Sequence, residues 1–323
     1  MAVIGSRNNA QKTRLTSTVC AWRRRSALRF ALRLSLIFAT LTIQLAHSHD
    51  PEVTPQQPAR ARYAPAVVDS ALRFTPLALG DGSRLTLISP KSWSDIAEEI
   101  SQELTQTHND LSQIFGAIPP FRSSVRLMDE PSFYALTGAP GWTNAMFFRG
   151  EIIIPLSTAK PIDLENLHRS VKHEYSHAVL SALSGGAIPG WIDEGLAQWI
   201  EGEENPALKN SLKAYLKRAA PVPLKLLQGG FTRLEAAMVP AAYAQSLLAV
   251  QAMIKAYGVE KIALYLSLLR SDIDKEAAFE TAFGISQDDF EYRLHSTLKA
   301  WASPATPRVL PVRAAVARRA MTR

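Results

Sequence analysis

The repeat of apolar positions changes along this chain. Between Trp93 and Phe115, the residues Ile96, Ile100, Leu104, Leu111 and Ile114 recur at intervals of three, four and seven, which predicts an amphipathic helix that Pro119 and Pro120 end. Leu85 to Ile88 before it, and Val125 to Leu127, Ala145 to Phe148 and Glu151 to Ile154 after it, are short apolar or β-branched runs punctuated by Gly141 and Gly150. They predict a small antiparallel sheet. Beyond Pro161 the period is helical almost throughout, with segments near 162–184, 191–201, 207–219, 241–257, 259–269, 275–283 and 287–301. Gly185, Gly186, Pro189, Gly190, Pro221, Pro223, Pro240 and Gly258 separate them. The expected fold class is α+β, a small sheet lobe followed by a mainly helical one.

The segment at 162–184 carries the first candidate chemistry, H-E-x-x-H at residues 173–177. Successive helical residues turn by ~100°, so with His173 at zero His177 lies at ~40° and Glu174 at ~100°. The two imidazoles converge, and Glu174 stands beside them. Leu164, Leu167, Val171, Tyr175, Ala178 and Ala182 fill an arc at roughly 120–200°, the face expected to pack on the sheet. A metal requires two nitrogens on one side of a rigid support, together with a base that is not itself a ligand. The break at residues 185–190 lets a second helix return Asp193 or Glu194 to the histidines, and adjacent helical carboxylates point ~100° apart, so only one of them can face the ion.

Composition narrows the chemistry. Among 323 residues the only cysteine is Cys20, which excludes an intramolecular disulfide and a thiolate metal site. The net charge of +7 sits at the two ends: residues 1–49 hold eight Lys or Arg and 303–323 hold five Arg, neither with an acid. That leaves 23 of the 36 basic residues against all 29 acids, so the body is mildly acidic and binding of a nucleic-acid backbone is not expected. Arg23, Arg24, Arg25, Arg29 and Arg33 precede an apolar run from Leu34 to Ala46, with small residues at Ala46 and Ser48. This reads as an export signal over residues 1–48, since the run is shorter than the ~20 residues of a spanning helix. A retained anchor is the alternative. The expected location is periplasmic or extracellular. Residues 49–68, with Pro51, Pro55, Pro58 and Pro65, read as a linker, 69–302 as the folded domain and 303–323 as a basic disordered tail. The basic ends suit peripheral contact with an anionic membrane.

The stretch H-E-Y-S-H followed by W-I-D-E-G-L-A, with Trp191, Glu194, Gly195 and Ala197 in order, resembles the gluzincin metallopeptidases, in particular minimal bacterial members of the peptidase MA type. The shared features run from about residue 85 to 301. The resemblance implies one Zn²⁺ held by His173, His177 and Glu194, with Glu174 as general base and a peptide or protein as substrate. It implies that T-N-A-M-F-F-R-G-E-I-I-I is the edge strand on which substrate lies, with Asn144 and Ala145 as contacts, and that Tyr243 reaches the oxyanion. Thermolysin-like members place an aspartate four residues after the glutamate ligand to steady a histidine. This chain has Gln198 there, whose carboxamide oxygen is the expected substitute. A catalytically silent peptide-binding or assembly module of the cell envelope is the alternative function, and zinc hydrolysis of a non-peptide amide a third.

Other polar features read as structural. His168 lies ~220° around the helix from His173 and points away from the proposed ion. Lys209, Lys213 and Lys217 form a solvated stripe, and Glu201, Glu203 and Glu204 a polar turn.

Overall fold

A computed structural model of the chain describes residues 71–303 apart from 140–142, 203–204 and 232–233. The expected export signal, the linker through residue 68, Cys20, Gly141, Glu203, Glu204 and the tail beyond Ser303 lie outside the described residues.

The chain opens with β1 (Leu72–Ala78) and β2 (Arg84–Pro90), then α1 (Ser94–Phe115), β3 (Arg122–Asp129), α2 (Glu130–Thr137), β4 (Met146–Phe148) and β5 (Glu151–Leu156). The five strands form one sheet in the order β1-β2-β3-β5-β4. The α+β class holds, with one correction. The sheet is mixed rather than antiparallel: β1/β2 and β4/β5 are antiparallel, but β2/β3 and β3/β5 are parallel. The reason lies in the connections, because α1 returns the chain from the end of β2 to the start of β3, and α2 with β4 does the same before β5.

Leu85 and Leu87 of β2, Val125 and Leu127 of β3, and Ile152 and Ile154 of β5 occupy every second position and are buried. They share one core with Ile100 and Leu104 of α1 and with Val171 and Tyr175 of α3 (Leu164–Ser184). Full burial of each such aliphatic side chain contributes about 1.5–3 kcal/mol, and here it fixes α3 against the sheet. A polar brace adds direction. The buried His108 of α1 meets the Tyr175 hydroxyl at 2.8 Å through Nδ1, and Asp81 of the β1–β2 turn at 3.2 Å through Nε2. His168 turns to α1, with Glu99 at 2.9 Å and Glu103 at 3.5 Å, as its helical bearing predicts.

Asp163 caps the start of α3 by accepting the Asn166 N–H, and Gly185, at φ 63°, ends it in the left-handed region. The chain then reverses into α4 (Gly190–Glu201) and continues through α5 (Pro206–Leu216), α6 (Val239–Tyr257), α7 (Val259–Arg270), α8 (Lys275–Phe283) and α9 (Gln287–Ala302). The close approach of α4 and α6 depends on Gly195, since a Cβ there would run into the Ser246 carbonyl. Among the described residues no helix is long and apolar enough to cross a membrane.

Candidate metal centre

The reversal at Gly185–Pro189 brings α4 alongside α3, and Glu194 arrives at the two imidazoles. Its Oε2 lies 3.8 Å from His173 Nε2 and 4.0 Å from His177 Nε2. The two rings are 4.9 Å apart and nearly perpendicular, at 81°. One ligand atom from each of His173, His177 and Glu194 lies within 4.8 Å of the others. A tetrahedral zinc with ligand bonds of about 2.0–2.2 Å spaces its ligand atoms about 3.4 Å apart, so the two distances from Glu194 are about half an ångström longer than the ion would set them. Glu194 Oε2 is also a buried oxygen without a hydrogen-bond donor. Such an atom is unfavourable in a finished interior and suits a cation. The donor set therefore fits zinc, and the residues expected to hold it are brought together.

Each outer imidazole nitrogen has a carboxylate oxygen beside it. His173 Nδ1 lies 2.8 Å from Glu201 Oε2, and His177 Nδ1 lies 3.0 Å from Asp193 Oδ1. These contacts leave each Nε2 facing Glu194, and a carboxylate on the far nitrogen fixes tautomer and ring orientation. Asp193 is thus not a rival ligand but a partner of His177. Glu201 is not part of a polar turn, as expected from sequence, but a partner of His173, with Arg169 3.7 Å from its other oxygen. A signal for it existed: Glu201 follows Glu194 by seven residues, about two turns, on the same face. The expectation for Gln198 is corrected. Its side chain donates to the Glu194 and Tyr243 carbonyls, at 3.0 and 3.1 Å, and ties α4 to α6 instead of meeting an imidazole.

Electrostatics follow from this crowding of acids. Burial opposes protonation of His173, but the nearby carboxylates of Glu194 and Glu201 outweigh it and hold the imidazole well above its usual range. For His177 burial is likewise overcome, chiefly by Asp193, and its pKa rises to about 9. Glu194, in turn, is lowered by His173 and His177 against the opposing effect of burial. Without metal the cluster therefore balances its negative charge with protons.

Glu174 stands next to this set, and its Oε2 accepts the Phe147 backbone N–H at 2.6 Å. Phe147 lies on β4, an edge strand, opposite Ile152 of β5, so its N–H turns outward onto Glu174. No sequence signal marks a backbone donor of this kind. Of the expected substrate contacts, Ala145 is buried and Asn144 is exposed just before β4; among the described residues Phe147, not either of these, makes the link between edge strand and base. Tyr243 of α6 packs edge-on against Phe231, ring centres 4.9 Å apart. Glu194, then burial, then Glu174 raise its phenol well above the usual value, which keeps it a proton donor and places it within the field of both carboxylates.

A helix-borne His, His, Glu set beside a free carboxylate, under an edge strand, is the arrangement of a gluzincin-type metallopeptidase. The sequence profile of the Peptidase MA superfamily matches residues 133–300, just over half of the chain, and the protein belongs to that family. Among solved structures, it is similar to a mutant M1 zinc metallopeptidase from Deinococcus radiodurans bound to a Tyr-Ser-Ala substrate, with 19% identity and a TM-score of 0.41 over 75% of this chain and 53% of that one. The aminopeptidase N family protein from Idiomarina loihiensis is similar at 13% identity and a TM-score of 0.42, over 69% and 46% of the respective chains. The chain thus spans about half the length of these structures. No curated protein matches it.

Proposed function

We propose that the protein is a zinc-dependent metallopeptidase that hydrolyses peptide bonds, with His173, His177 and Glu194 as ligands and Glu174 as general base. The observation that carries this reading is the buried, donorless Glu194 Oε2 facing the Nε2 atoms of two imidazoles, each of which has a carboxylate beside its Nδ1. When bound, zinc supplies a Lewis acid that polarises a carbonyl and lowers the pKa of a water towards ~7. Glu174 takes a proton from the attacking water and returns it to the departing amine, while the Phe147 N–H steadies one of its oxygens. Tyr243 donates its phenolic proton in a hydrogen bond to the developing oxyanion. An extended peptide pairs with the backbone at Asn144 and Ala145, just before the edge strand β4. Residues 1–48 direct export, on the strength of their basic and apolar pattern, and sequencing the N-terminus of mature protein tests that step.

The test of the chemistry is a pair of measurements on purified protein. Zinc bound at one ion per chain, lost in His177→Ala, and cleavage of a mixed peptide library that a chelator stops are the expected results. Glu174→Gln keeps the ion and loses turnover. Bound zinc with no hydrolysis of any peptide would refute the peptidase reading.

A further inference from the structure

The sheet has two faces, and α3 with its metal set lies on one of them. Leu85, Leu87, Val125, Leu127, Ile152 and Ile154 turn towards α1 and α3, so the residues between them turn the other way. On that outer face the register sets Ala78 of β1 beside Arg84 of β2, and Arg84 beside Arg122 of β3. Leu72, Phe74, Pro76 and Ala78, the outward row of β1, are all exposed, Phe74 by 64%. Pro76, Ala78, Arg84, Thr86 and Arg122 line a hollow of about 340 Å³. At the opposite edge Phe148 of β4 shares this face, because it pairs with Glu151, which stands across from Ser124.

The charge on this face is one-sided. Among the described strand residues its one carboxylate is Glu151, which already meets Arg126 at 2.9 Å and the Ser124 hydroxyl at 3.0 Å. Arg84 and Arg122 are exposed and have no carboxylate partner among the described residues. Adjacent strands lie ~4.8 Å apart, so these two cations repel unless an anion shares them. A third cation is held at a cost. Arg149, at the tip of the β4–β5 hairpin, has φ 55°, a left-handed conformation that glycine or asparagine adopts more readily, and its guanidinium sits 4.9 Å over the exposed Phe148 ring.

We propose that this outer face docks the protein on a bilayer rich in anionic phospholipid, with Arg84, Arg122 and Arg149 at the headgroup phosphates and Leu72, Phe74 and Phe148 in the interfacial layer. Charge complementarity selects an anionic occupant. The apolar side chains flanking the cations at both edges select a lipid one, because an acidic polypeptide would neutralise the arginines and leave two phenyl rings and a leucine in water. Docking by this face leaves the metal centre, on the α3 side of the sheet, clear of the bilayer. The inference does not depend on the peptidase activity.

The experiment is co-sedimentation of the purified full chain with vesicles of phosphatidylcholine alone, or of phosphatidylcholine and phosphatidylglycerol in equal parts. Binding to the mixed vesicles alone is expected. Arg84→Glu combined with Arg122→Glu lowers that affinity by about thirtyfold or more, and Phe74→Ser lowers it by about tenfold. The same change of charge at Lys217 and Lys261, both exposed on the helical lobe, leaves it within about threefold. Arg122→Gln guards against a folding artefact: it relieves the repulsion with Arg84, so its Tm stays at or above the parental value while its affinity still falls by about fivefold. Equal binding to both vesicles, or binding to neither, overturns the proposal. So does a loss no larger in the arginine pair than in the lysine pair, which would assign the binding to the basic chain ends. Capture of polyglutamate through Arg84 and Arg122 without vesicle binding would make the face a site for an acidic protein instead. A parental dimer that the arginine pair variant turns into a monomer, again without vesicle binding, would make it an interface between copies.

Discussion

Replacement of Glu201 by alanine separates two effects that the acid cluster exerts on zinc. Glu201 Oε2 lies 2.8 Å from His173 Nδ1, and its other oxygen faces Arg169, so one carboxylate both orients the imidazole and holds its far N–H. Loss of such a partner weakens metal binding by about 10–100-fold, which is about 1.4–2.8 kcal/mol at 1.4 kcal/mol per tenfold. The lower part of that range applies, because the His173 and Glu201 side chains are 18% and 21% exposed and water can replace the lost acceptor. A second effect opposes the first. Glu201 is one of three acids, with Glu194 and Glu174, that favour the protonated His173 without metal, and its removal makes the proton easier to displace. The two therefore cancel in part while the proton must leave, and the cancellation lessens as pH rises through the raised imidazole values. Chelator competition at about pH 6.5 and about pH 10 measures both. The expected outcome is a loss of about tenfold at the higher pH and a smaller one at the lower. A zinc affinity unchanged within about threefold at the higher pH refutes the assigned role of Glu201, while a larger loss at low pH than at high pH refutes the protonation argument.

Metal-free and zinc-loaded protein should respond to pH in opposite directions. With His177 raised from about 6.5 to about 9, the metal-free fold has that stabilisation in full below the unfolded value and loses it as pH rises through about 9, so its Tm falls over that window. Zinc competes with the same protons, so its affinity, and the Tm increment it confers, should grow over the same window; parallel Tm curves for the two forms would contradict this. Tyr243→Phe is expected to lower kcat by about 10²–10³ with zinc content unchanged, and near-parental turnover would remove the phenol from the oxyanion role. Gly195→Ala sets a methyl against the Ser246 carbonyl and should destabilise the fold by about 1–3 kcal/mol in denaturant titration, with no change if α4 and α6 are not in fact so close.

Sequence periodicity reveals what is local to one element and little of what two elements make together. The boundaries of α1, α3 and α8 follow the apolar spacing to within two residues, because a buried stripe at 3.6-residue period has no other explanation. β1 lacks such a stripe. It is an edge strand with Leu72 and Phe74 exposed, so no alternation marks it. α2 is short, and its signal is confined to the Asp129 cap on the Ser132 N–H and the proline that follows. The parallel pairing of β2, β3 and β5 is set by where α1 and α2 return the chain, which short strand patterns do not encode.

The same division runs through the candidate centre. His173, Glu174 and His177 are fixed by a single helix, and Glu194 by a reversal that its glycines announce. The carboxylate partners of the two histidines depend on how α4 is rotated against α3, and that rotation is decided by α6: Gly195 admits the Ser246 carbonyl, and Gln198 is drawn to the carbonyl of Tyr243. With Gln198 held there, the charge that steadies His173 comes from one turn further on, at Glu201. Helix α6 therefore sets three features of the site at once: the bearing of Glu194, the choice of Glu201 over Gln198, and the position of the Tyr243 phenol. For that reason a change confined to the α4–α6 contact should disturb zinc affinity and turnover together, even though no ligand lies on α6.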